Sequence, residues 1–297
     1  ATVFGPAKEL NIQFNDPWKY VWIDPWDGGD GCVSQIDPLD KNIIYYSQQH
    51  GEVVRLDRSK DETTSIIPKL PASIKDTLHF NYVTPYFISS FQHQTLYQGG
   101  NYIFKSMDRG DTWKVISPDL TRQIDRNKLP VMGKVWSMDA VAKNGSTDIY
   151  GNITTIAESK FDENTIYVGT DDGLIQVTTD GGNTWMKIDN IAGVPERTYV
   201  NHIITSQHDK NVAYVTFNHH RYGDFHPYVY KTSDGGKTWK AITNNLPERG
   251  TSYTIAEDHV NKDLLFVGTE FGLFVSIDGG VKWVQMKAGL PTIAVKD

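Results

Sequence analysis

An all-β architecture is expected of this chain of 297 residues on three grounds. A short phrase returns four times: SMDRGDTW at Ser106–Trp113, TTDGGNTW at Thr178–Trp185, TSDGGKTW at Thr232–Trp239 and SIDGGVKW at Ser276–Trp283. Around each copy lie short runs of β-branched and aromatic residues bounded by turn signals. No segment reads as a long amphipathic helix, and only Pro118–Gln123 reads as a short one.

Each residue type in the phrase has a mechanical role. Asp108, Asp180, Asp234 and Asp278 are placed to accept hydrogen bonds from backbone N–H groups of their own turn. Gly110, Gly182, Gly236 and Gly280 take positive φ without strain. The hydroxyl at Ser106, Thr178, Thr232 or Ser276 ties one arm of the turn to the other. Trp113, Trp185, Trp239 and Trp283 open the outgoing strand and bury a ring beneath the turn. Lys282 replaces the threonine of the phrase in the last copy.

Five strand-rich units follow in order. CVSQI, IIYYS, EVVRLD and TTSII make the first, with Asp57–Asp61 standing where the phrase would be. YVTPYFI, TLYQGG, YIFKS and TWKVI make the second. The third runs from ITTIAES through TIYVGT and LIQVT to TWMKI. VNHIITS, VAYVTF, YVYKT and TWKAI form the fourth, and SYTIAED, LLFVGT, LFVSI and KWVQM the fifth. The units are bounded at about 32–70, 80–120, 153–190, 200–245 and 252–290. Residues 1–31 form an N-terminal segment, read as a closing strand or the end of a preceding blade, and 292–297 read as the start of a further strand.

The phrases begin 72, 54 and 44 residues apart, and the shorter intervals suit a four-stranded blade. One such sheet cannot bury both of its faces. Packing each sheet against its neighbours around an axis solves this and leaves only short edges. The expectation is a β-propeller with about five visible blades, part of a larger propeller; a linear stack of sheets is the competitor. Ala1 at the start, and Ile293–Val295 as an opening strand, read as the ends of a piece of a longer chain.

Charge and composition narrow the partners. The formal net charge is −7, with no run of Lys or Arg, which disfavours nucleic acid and anionic membranes. No apolar run is long enough to span a membrane. The single Cys32, beside Val33, reads as a buried thiol rather than a nucleophile.

The repeated phrase resembles the Asp-box, or BNR repeat, of sialidases, xyloglucanase-like glycosidases and sortilin-type Vps10 domains. The chain is similar to a group of long bacterial proteins labelled glycosyl-hydrolase-like or sortilin-like. GGDG at Gly28–Gly31, Phe104–Thr121, IAES at Ile156–Ser159, VGTDDG at Val168–Gly173, Tyr228–Trp239 and Phe266–Gly280 carry the likeness. The resemblance implies a propeller fold, a longer chain and export, hence an extracellular or periplasmic location. It does not specify a reaction.

Candidate chemistry is scattered. Hydrolysis of a sugar bond needs two carboxyl groups flanking it. Glu158 and Glu257 hold equivalent places in their units, while Asp171, Asp172 and Glu270 follow second strands; Glu158, Glu257, Asp172 and Glu270 are the catalytic candidates. They form a pool rather than a defined pair, and a solvated rim or channel wall accounts for each equally well. The sialidase set of three arginines is not evident, since Arg197, Arg221 and Arg249 lie in different contexts. FNHHRYGDFHP, Phe217–Pro227, interrupts the fourth unit and offers His220, Arg221 and Asp224 as binding residues. Its spacing fits no specific metal motif. Trp26, in the cluster Trp18–Gly31, and Trp136, in the insertion Arg122–Asn152, are further binding candidates. The first cluster has the makings of a sugar platform, of an oxygen-rich Ca²⁺ site or of strand-edge packing. No cofactor and no metal motif is indicated.

The resulting expectation is a non-catalytic binding or scaffolding propeller with a peptide or protein ligand, partnered also by the remainder of its own longer chain. The alternative is a xyloglucanase-like glycoside hydrolase acting on a polysaccharide through a pair of channel carboxylates.

Overall fold

The computed structural model describes residues 2–4, 19–21, 30–145 and 149–297. Trp26 lies outside the described residues. The fold is all-β. Strand β1 (Thr2–Phe4) pairs antiparallel with β2 (Lys19–Val21). Five four-stranded antiparallel sheets follow. The first holds β3 (Ser34–Ile36), β4 (Ile43–Ser47), β5 (Val53–Asp57) and β6 (Glu62–Ser65). The second holds β7 (Tyr86–Ile88), β8 (Leu96–Gly99), β9 (Ile103–Ser106) and β10 (Lys114–Val115). Next come β11 (Ile153–Glu158), β12 (Ile166–Thr170), β13 (Ile175–Thr178) and β14 (Met186–Ile188). The fourth holds β15 (Tyr199–Thr205), β16 (Ala213–His219), β17 (Asp224–Thr232) and β18 (Lys240–Ala241). The last holds β19 (Ser252–Glu257), β20 (Leu265–Thr269), β21 (Gly272–Ser276) and β22 (Val284–Gln285). Within each sheet the strands lie in chain order, as in a propeller blade.

Pro118–Gln123 is not helical. The Asp119 carboxylate accepts from the Thr121 N–H at 2.8 Å and its hydroxyl at 2.7 Å, which closes a local turn, and Gln123 has φ 54°. The helical content of the described residues is two three-residue 3-10 turns, Arg126–Lys128 and His220–Tyr222.

The chain forms two compact units, residues 1–100 with 104–115, and 101–103 with 116–297. In the first, Ile43, Tyr45, Val53, Ile66, Tyr86 and Leu96 make a buried core. The Tyr86 hydroxyl donates to the Val33 carbonyl at 3.0 Å, and Gln35 bonds the backbone of Tyr86 and Ile88. Cys32 is half-buried, and burial pushes its thiol above the ordinary value.

In the second unit the central strands serve two cores at once. Alternate residues of a strand face opposite sides of a sheet. Ala213, Val215 and Phe217 of β16 pack with Tyr167, Ile175 and Val177 of the preceding sheet. Tyr214 of the same strand packs instead with Ile255, Leu265 and Val267 of the following one. A strand buried on both faces is continuously apolar, as AYVTF is. The first strands β11, β15 and β19 lie side by side.

The turn phrases close their hairpins alike. The Thr178 hydroxyl donates to Asp180 Oδ1 at 2.8 Å and accepts from the Gly182 N–H at 2.9 Å. Asp180 also accepts from the Thr184 N–H at 2.9 Å and the Thr184 hydroxyl at 2.7 Å. Asp108 and Asp234 repeat this set. Asp278 accepts from the Ser276 hydroxyl and the Lys282 N–H, and lacks the last bond because Lys282 has no hydroxyl. The tryptophans reach further than their own turns. The indole N–H groups of Trp113, Trp185 and Trp283 donate to the carbonyls of Ile66, Ile116 and Ile242, each in the preceding repeat. Trp239 bonds its own turn at Gly236 instead.

Residues 293–295 do not form a strand. The Val295 N–H donates to the Thr269 carbonyl at 2.9 Å. A Cβ on Gly268 would meet the Val295 carbonyl oxygen at 2.4 Å. Val295 thus takes against β20 the place that Val200 takes against β12, where a Cβ on Gly169 would meet Val200 at 2.3 Å.

Candidate functional site

The sequence-based carboxylate pool separates into two ends of the sheets. Glu158 pairs with Ile166, the first residue of β12, and Glu257 with Leu265, the first residue of β20. Asp171, Asp172 and Glu270 instead follow the last residues of those strands. About 13 Å of strand lies between the two ends. Glu257 is buried and engaged: Ser206 and Tyr214 donate their hydroxyls to it at 2.9 Å, and the Gln207 N–H donates at 2.6 Å. It latches β19 to the fourth sheet. Glu158 is buried at the end of β11, where its carbonyl accepts from the Thr205 hydroxyl at 2.8 Å.

The other end of the second unit gathers the chemistry. Asp171 Oδ1 accepts from the N–H groups of Gly151 at 3.1 Å and Asn152 at 2.7 Å, and Oδ2 from the Asn152 amide at 3.2 Å. It is 6% exposed. Burial pushes its carboxyl up to about 7; the Asp172 charge adds to this, while the Asn152 bonds and the Arg221 charge oppose it. Asp172 is fully buried, accepts from the Arg122 N–H at 2.7 Å and the Thr170 hydroxyl at 2.6 Å, and is also raised by burial. Burial likewise raises the Tyr150 hydroxyl, which feels the charges of Asp171, Asp172 and Arg197.

Glu270 occupies in the fifth sheet the place of Asp171 in the third. The Asp171 N–H donates to the Asn152 carbonyl, and the Glu270 N–H to that of Thr251, both at 2.9 Å. The clamp differs. Asn152 offers an amide to Asp171, whereas Thr251 offers a hydroxyl that does not reach Glu270. Among the described residues, Glu270 Oε2 and Thr251 Oγ1 are buried without a hydrogen-bond partner. Unpaired buried oxygens are uncommon and mark a place where a ligand can be held.

Between these turns stands the extended β16–β17 hairpin. FNHHRYGDFHP is not a separate loop: β16 runs to His219, His220–Tyr222 make a 3-10 turn, Gly223 has φ 79°, and β17 resumes at Asp224. Asp224 accepts from the His226 ring at 2.7 Å and the Tyr228 hydroxyl at 2.6 Å. His219 stacks on Tyr222 at 4.4 Å. Partial burial and the Arg221 charge lower the His220 pKa, with Glu270 opposing. The hairpin tip therefore lies under the influence of both Asp171 and Glu270. Among the described residues no group of three or more His, Cys, Asp or Glu is placed to hold a metal ion.

Trp136 does not join this site by any bond. It is 43% exposed, donates to the Val131 carbonyl at 3.1 Å and carries Lys134 over its ring. Sequence reasoning set Arg122, Arg197 and Thr251 aside. Aligning GNIT, RTYV and GTSY at the starts of β11, β15 and β19 would have singled out Arg197, which stands where the other two have glycine.

No family model matches the sequence, that of the Asp-box repeat included, and no curated protein matches it. Solved structures do match. An ancestral GH74 enzyme aligns with a TM-score of 0.61 and 16% identity, over 90% of this chain and 32% of the other. The GH74 enzyme of Niastella koreensis aligns at 0.56 and 19%, over 86% and 38%. The GH74 xyloglucanase of Xanthomonas campestris aligns at 0.56 and 17%, over the same shares. The chain shares its fold with GH74 enzymes. This all-β, multi-bladed, propeller-like fold spans about a third of those relatives' lengths.

These findings correct three expectations. The Asp-box, sortilin and Vps10 kinship is not what emerges; the matching structures are GH74 ones. The reading of a non-catalytic scaffold, which leans against an enzyme, is not what these matches to GH74 enzyme structures favour. The physical reason is the pair of blade turns carrying buried carboxyl groups. Among the described residues no helix is long and apolar enough to cross a membrane.

Proposed function

We propose that this chain carries the acid–base site of a glycoside hydrolase acting on a polysaccharide. Asp171 is the general acid. Its carboxyl, raised to about 7 by burial, holds a proton where an ordinary aspartate has lost it. Glu270, at the equivalent turn two sheets on, is the second carboxylate, with an oxygen that has no hydrogen-bond partner among the described residues. One carboxyl protonates the glycosidic oxygen, and the other activates water or attacks from the opposite face of the sugar. His220 and Arg221 stand between them, and Asp224 braces their hairpin. A polymeric sugar substrate goes with an extracellular or periplasmic location.

The observation that carries this reading is the raised Asp171 and, at the equivalent turn two sheets on, a Glu270 oxygen without a partner among the described residues, on a fold shared with GH74 enzymes. Release of reducing ends from neutral and acidic polysaccharides, xyloglucan among them, tests it. Asp171→Asn and Glu270→Gln are each expected to lower kcat/KM about 10²–10⁴-fold. Because Asp171 acts protonated, kcat/KM should fall as pH rises through about 7. No release from any polymer, or full rates in both variants, would overturn the proposal.

A further inference from the structure

The first strands of the last three sheets begin at one structural position, occupied by Gly151, Arg197 and Gly250. Ile153, Tyr199 and Ser252 are the paired residues two places on. All three positions lie in the left-handed region, at φ 96°, 58° and 140°. Two sheets use glycine, for which this backbone is free of strain. The third uses an arginine, for which this backbone is strained. The surroundings impose it. A Cβ on Gly173 would fall 2.8 Å from the Arg197 Cα, and the Thr198 hydroxyl donates to the Pro195 carbonyl at 2.6 Å. A strained, tightly held arginine where the fold prefers glycine is a side chain kept for its head group.

That head group lines a cleft of about 380 Å³, within the range of small-ligand pockets. Ile188, Ile191, Val194 and Phe217 supply apolar walls, and Arg122 a second guanidinium. Arg122 is fixed by carbonyl oxygens, Nε to Asp172 at 2.8 Å and Nη2 to Asp189 at 2.9 Å. Among the described residues neither arginine makes an ion pair. The carboxylates at the cleft's edge, Asp189 and Glu196, are exposed, and Asp189 is taken by Lys187 at 3.9 Å.

The cations continue beyond the cleft, each resting on an aromatic ring. Arg197 lies over Tyr222 at 5.8 Å, Arg221 over Tyr199 at 5.0 Å and Lys296 over Tyr253 at 5.7 Å. Arg221 and Lys296 both act on His220, and Arg197 acts on its neighbour His219, so the pairs form one strip. On a chain of net charge −7 these cations are grouped, with Asp224 and Glu270 acting on the same two histidines. Arginine forks suit planar carboxylates. Repeated cations call for a ligand with repeated charge.

We propose that Arg197 and Arg122 anchor a carboxylate-bearing saccharide, and that the strip beyond them makes the substrate class polyuronate rather than neutral glycan. Its turnover rests on the hydrolase reading; its binding does not. Calorimetry with trigalacturonate, and with cellotriose as the uncharged counterpart, tests the binding on the full chain carrying Glu270→Gln, which blocks turnover. Trigalacturonate is expected to bind, and more weakly as salt is added. Arg197→Gly installs the residue of the two sister sheets. It should leave the melting temperature unchanged or raise it, yet weaken trigalacturonate about tenfold. Arg221→Gln, at the exposed hairpin tip, should weaken it in the same direction. Equal affinity for cellotriose, undiminished affinity in Arg197→Gly, or displacement by equimolar inorganic phosphate would overturn the proposal. Binding with no reducing ends released by the unsubstituted chain overturns the hydrolase reading alone. Hydrolysis of a neutral polymer without trigalacturonate binding overturns this one alone.

Discussion

The hydroxyl that opens each turn phrase both donates and accepts inside its hairpin. Thr232 is fully buried, donates to Asp234 at 2.9 Å and accepts from the Gly236 N–H at 3.0 Å. Valine has the same shape and can do neither. Thr232→Val should therefore lower stability by about 1–3 kcal/mol, chiefly by stranding a buried N–H. A urea titration with an unshifted midpoint would remove that role from the hydroxyl. The roles of serine, threonine and aspartate in the phrase were readable from residue chemistry, since these bonds span four residues. The reach of the indole was not. Trp185 donates to Ile116, 69 residues earlier, and no local rule names that acceptor.

At the scale of elements, contact between neighbouring sheets is set by small residues in the second strands. Gly169 lies in β12, and a Cβ there would fall 2.3 Å from Val200 and 2.8 Å from Thr155. Its backbone is ordinary, so any cost of a side chain is steric. Gly169→Ala should destabilise by about 1–3 kcal/mol through overpacking, with a visible loss in melting temperature. An alanine variant that melts with the parent would mean the two sheets can move apart freely. Strand order and alternation were legible in runs such as AYVTF, because period and length report burial on both faces. The extension of β16 and β17 through FNHHRYGDFHP was not, because polar residues there hide a continuing ladder.

For the whole molecule, acid sensitivity follows from the repeated turn. Asp180 and Asp234 are held at about 2, chiefly by the hydroxyls of Thr184 and Thr238, and Asp108 and Asp278 are also lowered. An unfolded aspartate titrates near 4. A carboxyl lowered by folding contributes stability above about pH 4, and that contribution is lost as pH falls toward about 2. Four turns in separate sheets act independently, so their losses add. The melting temperature should drop steeply between about pH 4 and 2, and replacing Asp180 and Asp234 by asparagine should flatten that limb. A limb of unchanged slope in the double variant would place the acid lability elsewhere. Asp171 works in the opposite sense: raised to about 7, it favours the fold below about pH 4, and that contribution is lost as pH rises through about 7.

By itself the sequence determined the blade, its strand order and its hairpin turns, because each depends on residues a few positions apart and on a period of two. It also named Asp171, Asp172 and Glu270 as members of a carboxylate pool. Only the tertiary structure decided which of that pool the fold itself engages. Glu257 is consumed by Ser206, Gln207 and Tyr214, whereas Glu270 keeps an unengaged oxygen. Raising Asp171 to about 7 takes burial, which no local rule reports. The grouping of Arg197, Arg221 and Lys296 is likewise invisible in a sequence of net charge −7, because it joins the entry to the fourth sheet and its hairpin tip to a lysine that follows the fifth.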